Sequence, residues 1–442
     1  MPHLRTEATK CNQASMLVPS FIISNPNSQY IYAECLVKGT GEEDEEMTRR
    51  AVSFVRIYKS ARGRHRRRHN NTANTSYASR SSSISIIIMP TAAQPRRYHH
   101  HAHAHFLEFH SVRAVPDSHA WPDLHDRPTS PDNAVPVVDL SSHDGLLDQL
   151  RRACASWGAF QVTGHGVPLG LLRSAEAAAR RLFTLPLSQK LRAARREDGS
   201  VGGYGAARIS CFFPKLMWSE GFTIAGSPLD NARELWPGDP AAFCDVIEEY
   251  KKQMQRLAHR LTRLMLTSLG LAEGDIDWAG LIEEMSAVVQ LNSYPACPDP
   301  DRAMGLAAHT DSTLLTVLYQ SNTSGLQVLH PMNQDRPSRW VTVPPIPDAL
   351  IVNVGDLFQI LSNGRYRSAV HRVIVNRTSH RVSVAYMCGP EKDADVSPIE
   401  KLIEPGGRPL YRTVTWPEYL SLKGKLFDKA LEHIMLQEHS TG

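Results

Sequence analysis

Long hydrophobic runs are missing from this 442-residue chain. The nearest candidate, Ile84 to Met89, falls far short of the ~18 apolar residues a membrane span requires, so no membrane partner is expected. No positively charged stretch followed by an apolar core opens the chain, and secretion is not expected either. Cysteine is scarce. There are seven, an odd number with no C-x-x-C pair, which argues against a zinc ribbon and against an even disulfide framework. A strong charge of one sign is missing too: the net charge is +4. Residues 1–88 hold 13 Lys or Arg against 7 Asp or Glu, which leaves 36 against 38 for the rest. A near-neutral body has no electrostatic footprint for nucleic acid, and none is expected as a partner. What is present, 42% hydrophobic and 21% charged residues, is an ordinary globular mixture able to bury a large core. The expectation is a reduced, cytoplasmic, monomeric protein, with the nucleus as a second possible location.

The chain divides by texture. Residues 1–88 carry an acidic run at 42–46, an Arg-rich cluster at 62–68 and a Ser/Asn/Thr-rich stretch to Ser85, and read as a disordered or extraneous extension. Residues 89–134 form a flexible lead-in holding His99, His100, His101, His103 and His105, whose close spacing builds no closed metal site. An N-terminal region then spans 135–245, a long helix and linker 246–284, a strand-rich domain 285–390 and a helical C-terminal segment 391–442.

Local patterns set these limits. Val135 to Leu140 and Ala159 to Thr163 read as strands, and Leu171 to Phe183 and Phe243 to Leu269 carry apolar residues at helical spacing, with Gly270 placed to end the longer helix. After Asp275, eight short strands are expected: Val288–Tyr294, Ser312–Gln320, Leu326–Leu329, Trp340–Val343, Ala349–Val354, Phe358–Leu361, His371–Val375 and Val382–Met387. Asn363-Gly364 reads as a hairpin turn between two of them. So many short strands in roughly 100 residues point to a sandwich or jelly roll, with helices concentrated in the first half of the ordered region.

Three groups of residues carry chemistry. In His309-Thr-Asp311 an imidazole and a carboxylate two residues apart share a face of an extended chain. His371 opens a later strand, and two histidines with one carboxylate make a facial triad suited to ferrous iron, although zinc tolerates the same ligands. Arg381 and Ser383 likewise share a face, among valines that point the other way. An inward guanidinium there requires an anion, either a ligand carboxylate or a structural Asp or Glu. Asn292 and Tyr294, just before Pro295, present an amide and a phenol on one face of a further strand.

His309, Asp311, a gap of 59 residues, His371, and then Arg381-x-Ser383, preceded by Asn292-x-Tyr294-Pro295, resembles the iron(II)- and 2-oxoglutarate-dependent dioxygenases of plants. Trp157-Gly-Ala-Phe-Gln-Val-Thr-Gly-His-Gly-Val-Pro168 and Leu185-Pro-Leu-Ser-Gln-Lys190 are similar to the N-terminal blocks of the same enzymes, so the likeness runs from about Val135 to Leu436. It implies an α+β fold with a double-stranded β-helix (jelly-roll) core and flanking helices. It implies that His309, Asp311 and His371 hold Fe(II), that Arg381, Ser383 and Tyr294 bind 2-oxoglutarate, and that dioxygen is consumed with ascorbate as reductant. His165 lies outside that pattern and reads as a hydrogen-bonded turn residue.

Within the superfamily, Lys215-Leu-Met-Trp-Ser-Glu-Gly-Phe-Thr-Ile224 resembles the gibberellin 3-beta-dioxygenases, as does the Met-Pro-Thr opening at Met89. The resemblance implies a small-molecule gibberellin substrate. Met217, Trp218 and Phe222 would then wall an apolar pocket, with Lys215 or Arg208 meeting a carboxylate. The alternatives are another plant 2-oxoglutarate dioxygenase (a gibberellin 2- or 20-oxidase, or a flavonoid-type enzyme) and a non-catalytic jelly roll that binds ligands.

Overall fold

The computed structural model describes residues 107–436 apart from 123, 125–133, 197–200, 273, 276, 278 and 331–337, together with the backbone of 21–24, 30–36 and 54–59. The chain falls into two compact units, Met1–Pro90 and Thr91–Gly442. In the first, β1 (Phe21–Ser24), β2 (Tyr30–Leu36) and β3 (Phe54–Lys59) pair antiparallel in that order. The acidic run, the Arg-rich cluster, Met89 and the His tract lie outside the described residues.

The second unit opens with β4 (Val137–Asp139), α1 (Leu146–Ser156), β5 (Ala159–Thr163), α2 (Leu169–Phe183) and the single turn α3 (Leu187–Lys190). Then come β6 (Gly203–Gly205), β7 (Glu220–Ala225), α4 (Leu229–Leu235) and α5 (Ala241–Ser268). The strand-rich part holds β8 (Ser286–Tyr294), β9 (Met304–His309), β10 (Leu315–Gln320), β11 (Leu326–His330), β12 (Arg339–Thr342) and β13 (Leu350–Val354). It continues with α6 (Asp356–Leu361), β14 (His371–Ile374) and β15 (Arg381–Gly389). The helices α7 (Trp416–Leu426) and α8 (Ala430–His433) close the described chain.

Two sheets face each other. The larger has the order β4-β5-β13-β10-β15-β8-β7-β6 and the smaller β12-β11-β14-β9. Between them lies an interior of Ala159, Tyr294, Leu318, Val328, Ile351 and Ala385, the filling of a jelly roll. The other face of the large sheet, carrying Phe160, Phe222, Leu291, Val352 and Val384, packs on α1, α2 and α5. Helix α5 buries Ile247, Tyr250, Met254, Leu257, Leu261 and Met265 at three- and four-residue steps, and each such fully buried side chain contributes roughly 1.5–3 kcal/mol. Tyr250 donates from its hydroxyl to the Val384 carbonyl at 3.1 Å, tying the helix to the sheet. Gly270 takes φ +85° just past the helix and its N–H bonds the Thr267 carbonyl at 2.9 Å, the cap its position implied. Among the described residues no helix is long and apolar enough to cross a membrane.

One expected strand is a helix. Phe358–Leu361 belongs to α6, and Asn363-Gly364 closes that helix, not a hairpin. Both residues have positive φ (50° and 78°), and their N–H groups reach back to Ile360 and Gln359. Leu357, Phe358, Ile360 and Leu361 are buried around a single half-buried Gln359, and so short an apolar segment shows no period to tell helix from strand. Strands β1, β2, β3, β6, β7 and β9 were not expected; β9 carries a site residue.

Candidate active site

His309 ends β9 and His371 begins β14, and the two residues pair directly across these antiparallel strands. Asp311 follows two residues later on the turn into β10. Its Oδ1 lies 3.7 Å from His309 Nε2 and 3.8 Å from His371 Nε2, and the imidazole centroids are 4.3 Å apart. Each histidine anchors its other nitrogen on a backbone carbonyl: His309 Nδ1 on Ala307 at 2.8 Å, His371 Nδ1 on Ala369 at 2.9 Å. With Nδ1–H donating, the Nε2 lone pairs are left facing the carboxylate, the tautomer a metal requires.

Burial and the neighbouring His371 pull the His309 pKa down to about 4, so its ring is neutral near pH 7. Burial acts against the Asp311 charge, but the two imidazoles, helped by Thr316 and Asn353, hold its carboxyl below the ordinary range. Asp311 Oδ2 is buried with no hydrogen-bond partner. Two imidazoles and a carboxylate with an unsatisfied oxygen, all donor atoms within 4.8 Å, fit a divalent cation. This is the one such group of three among the described residues. The donor set suits ferrous iron.

A second layer fixes this turn. The Asp356 N–H donates to the Asp311 carbonyl at 2.8 Å. The fully buried Asp356 carboxylate accepts from Lys423 Nζ at 2.6 Å, from the Tyr419 hydroxyl at 2.8 Å and from Thr310 Oγ1 at 3.1 Å. Lys423 also bonds Thr310, the residue between the two ligands. Helix α7 thus reaches the His309-Thr-Asp311 turn through one buried ion pair. Removing one partner of such a pair strands the other charge, so Asp356→Ala is expected to cost about 3–5 kcal/mol in denaturant unfolding. A loss below 1 kcal/mol would contradict the role given to the pair.

Beyond the triad the interior turns polar at one end. Arg381 and Ser383 on β15 lie opposite Tyr294 and Asn292 on β8, and Ser383 faces Gln320 on β10. Arg381 is 2% exposed, and its Cζ lies 5.1 Å from the centre of the Tyr294 ring. Nη2 donates to Gln320 Oε1 at 2.8 Å, while Nε and Nη1 are buried without partners. None of the ion pairs among the described residues involves Arg381, so the structural-pair alternative lacks its acid. A buried fork with two unmet donors fits a carboxylate, and Ser383 and Tyr294 add hydroxyls beside it. Space for the fork depends on Gly325, where a Cβ would stand 2.8 Å from the Ile374 carbonyl and 3.0 Å from Arg381 Cδ. Gln320, Gly325, Thr316 and Asn353 had gone unremarked in the sequence.

The residues expected around a substrate separate. Met217 is buried with Met304 and Ala307, against Trp121, Ile209 and Phe213, and so stands near the strand that ends at His309. Trp218 does not join it. It is fully buried among Phe109, Val115 and Cys297, with its indole N–H donating to the Pro295 carbonyl at 3.2 Å. Phe222 lies on the helix-facing side of β7, in the main core, because the pleat turns it away from the interior. Lys215 holds the Asp117 carbonyl at 2.7 Å, and Arg208 bonds the Val201 carbonyl. His165 is the turn residue expected, bonding the Asp348 carbonyl at 2.9 Å and accepting from the Val167 N–H at 3.0 Å.

Residues 285–390 match the model of the 2OG-Fe(II) oxygenase superfamily, and 135–239 that of the non-haem dioxygenase in morphine synthesis N-terminal region. Gibberellin 3-beta-dioxygenase 1 of Arabidopsis thaliana is 51% identical over 347 residues, 76% of this chain and 94% of that protein. Gibberellin 3-beta-dioxygenase 1 of Pisum sativum is 52% identical over 340 residues, 74% and 89% of the two chains. The chain belongs to the gibberellin 3-beta-dioxygenase family. Its members are 2-oxoglutarate- and Fe(II)-dependent oxygenases, and the site just described has the residues for both groups. A solved structure of JOX2 in complex with 2OG, Fe and JA is similar, at 32% identity and a TM-score of 0.64, covering 74% of this chain and 95% of that one. The structure of a rice dioxygenase for auxin oxidation has a TM-score of 0.56 at 30% identity, covering 68% and 100%. Both neighbours belong to the same double-stranded β-helix class as this family member.

Proposed function

We propose that the protein inserts a 3-beta hydroxyl into a gibberellin that has already lost its twentieth carbon, and so makes bioactive hormone from its precursor. The observation that carries this is a cation-ready triad beside a guanidinium short of an anion, with an apolar cluster around Met217 against the strand that ends at His309. His309, Asp311 and His371 would hold Fe(II), and Arg381, Ser383 and Tyr294 the distal carboxylate of 2-oxoglutarate. Bound together, iron and 2-oxoglutarate supply the activation of dioxygen, with one oxygen atom leaving in succinate, carbon dioxide released, and the other atom inserted into a substrate C–H bond.

The rest is the work of this chain. His309, Asp311 and His371 would hold the metal from one side and so leave room for small molecules on the other. Arg381 orients the cosubstrate through a planar fork. The buried surroundings exclude water. Met217, Met304, Ala307, Ile209, Phe213 and Trp121 offer a rigid diterpenoid skeleton an apolar surface, and position of attack is decided by which C–H bond that surface aims at the metal.

Incubation with iron, 2-oxoglutarate, ascorbate and a C19 gibberellin, with products identified by mass spectrometry, is expected to give the 3-beta alcohol. Substitutions that change bulk at Met217 should alter product ratios or uncouple 2-oxoglutarate decay from hydroxylation. Only 2-beta-hydroxylated product from the wild-type enzyme would refute the assigned carbon.

A further inference from the structure

The concave face that carries Arg381 continues past the cosubstrate anchor. Register across the large sheet runs Gln320, Ser383, Asn292, Gly221, Gly205, so these residues project to the same side. The next row along is Leu318, Ala385, Gln290, Thr223. Arg195 lies just outside β6, its N–H on the Tyr204 carbonyl at 2.8 Å. Its guanidinium covers Gly205: Nη1 and Cζ stand 3.5 and 3.6 Å from where a Cβ on that glycine would be. Arg195 therefore faces the same space as Ser383 and Asn292.

What holds it there is uncharged. Nη1 donates to the Ala206 carbonyl at 3.2 Å and Nη2 to Thr223 Oγ1 at 3.4 Å. The Thr223 hydroxyl donates to Gln290 Oε1 at 2.6 Å, and Gln290 Nε2 donates to Asn292 Oδ1 at 3.1 Å. Nε is buried with no partner at all, and none of the ion pairs among the described residues involves Arg195. Burial, together with the positive charge of Arg208, pulls its pKa down to about 10, the mark of a place short of negative charge. The apolar wall starts at once: Ala207 and Ile209, two and four residues past Gly205, pack with Met217 and Met304.

We infer that Arg195 anchors the carboxylate of the substrate, held in place by the Thr223–Gln290–Asn292 chain, while the hydrocarbon skeleton lies on the Met217 wall. The inference rests on the gibberellin reading above and assigns to Arg195 the part expected of Lys215 or Arg208. It gives the site two guanidiniums with separate tasks, Arg381 for the cosubstrate and Arg195 for the substrate.

The test compares a C19 gibberellin acid with its carboxyl methyl ester in wild-type, Arg195→Gln and Arg195→Lys enzymes, with iron and 2-oxoglutarate supplied. Loss of a charged hydrogen-bond pair is expected to raise KM for the acid about 10–150-fold in Arg195→Gln. KM for the ester and for 2-oxoglutarate should stay where they were, the latter also reporting that the variant is folded. Arg195→Lys, which keeps charge without the fork, should fall between, and it carries the test if Arg195→Gln does not fold. An unchanged preference for acid over ester in either folded variant, or an equal rise for both compounds, would overturn the assignment. Wild-type enzyme that turns over neither compound would sink the gibberellin reading itself, and Arg195 with it.

Discussion

An Asp311→Ala enzyme is expected to show no detectable hydroxylation and to bind ferrous iron far more weakly than wild type. Removing only an outer partner of a metal ligand typically costs 10–100-fold, and the loss of one ligand in three should exceed that. The structure adds a specific reason. Asp311 is the only acid in the cluster, and its Oδ1 is within 4 Å of both imidazoles. Without it, two buried imidazoles would have to bind a dication with no compensating negative charge. His309→Ala and His371→Ala should behave alike, since their pairing across β9 and β14 makes neither replaceable by a neighbour. Oxygen consumption with iron and 2-oxoglutarate, paired with calorimetric titration of iron, reads both effects. Near wild-type rates in all three variants would refute the triad assignment.

The second large effect concerns Arg381. In Arg381→Lys the charge stays but the planar fork is lost, and the affinity for 2-oxoglutarate is expected to fall by about 1–3 kcal/mol, roughly 5–150-fold. Arg381→Gln should fall further, since no charge remains opposite the carboxylate. The gibberellin KM should move much less in both. The reason is visible in the unmet donors: Nε and Nη1 have no protein partner to fall back on, whereas Nη2 already has Gln320. An unchanged KM for 2-oxoglutarate would count against Arg381 as the anchor.

Much of this site was legible in the chain, and the parts that were not share a cause. His309 and Asp311 could be read as a pair from their two-residue spacing, and His371 joined them through the family-like gap of 59 residues. The same parity placed Arg381 with Ser383 and Asn292 with Tyr294. Phe222 was read from its type in a segment not expected to be a strand, and the pleat of β7 turns it, with Ile224, toward the helices. Trp218 was read from its type, and a buried indole with a carbonyl partner looks the same in sequence as one lining a pocket. Arg195 stands in a run with Arg192 and Arg196 and nothing local separates the three; only the cross-strand register through Gly205 does so. The pairing of Asp356 with Lys423, 67 residues apart, leaves no trace in either segment. In α6, four apolar residues broken only by Gln359 are too short a stretch to carry a period.

The route from helix α7 to the metal turn bears on how altered copies of this reading frame should be judged. A frame cut between Gly389 and Trp416 would still encode His309, Asp311, His371 and every group around Arg381, and a motif search would pass it as intact. Its product would lack Lys423 and Tyr419, leaving the Asp356 carboxylate buried without its cation and Thr310 without one of its two partners. Such a product is expected to lose stability and activity, although His309, Asp311, His371 and Arg381 are all kept.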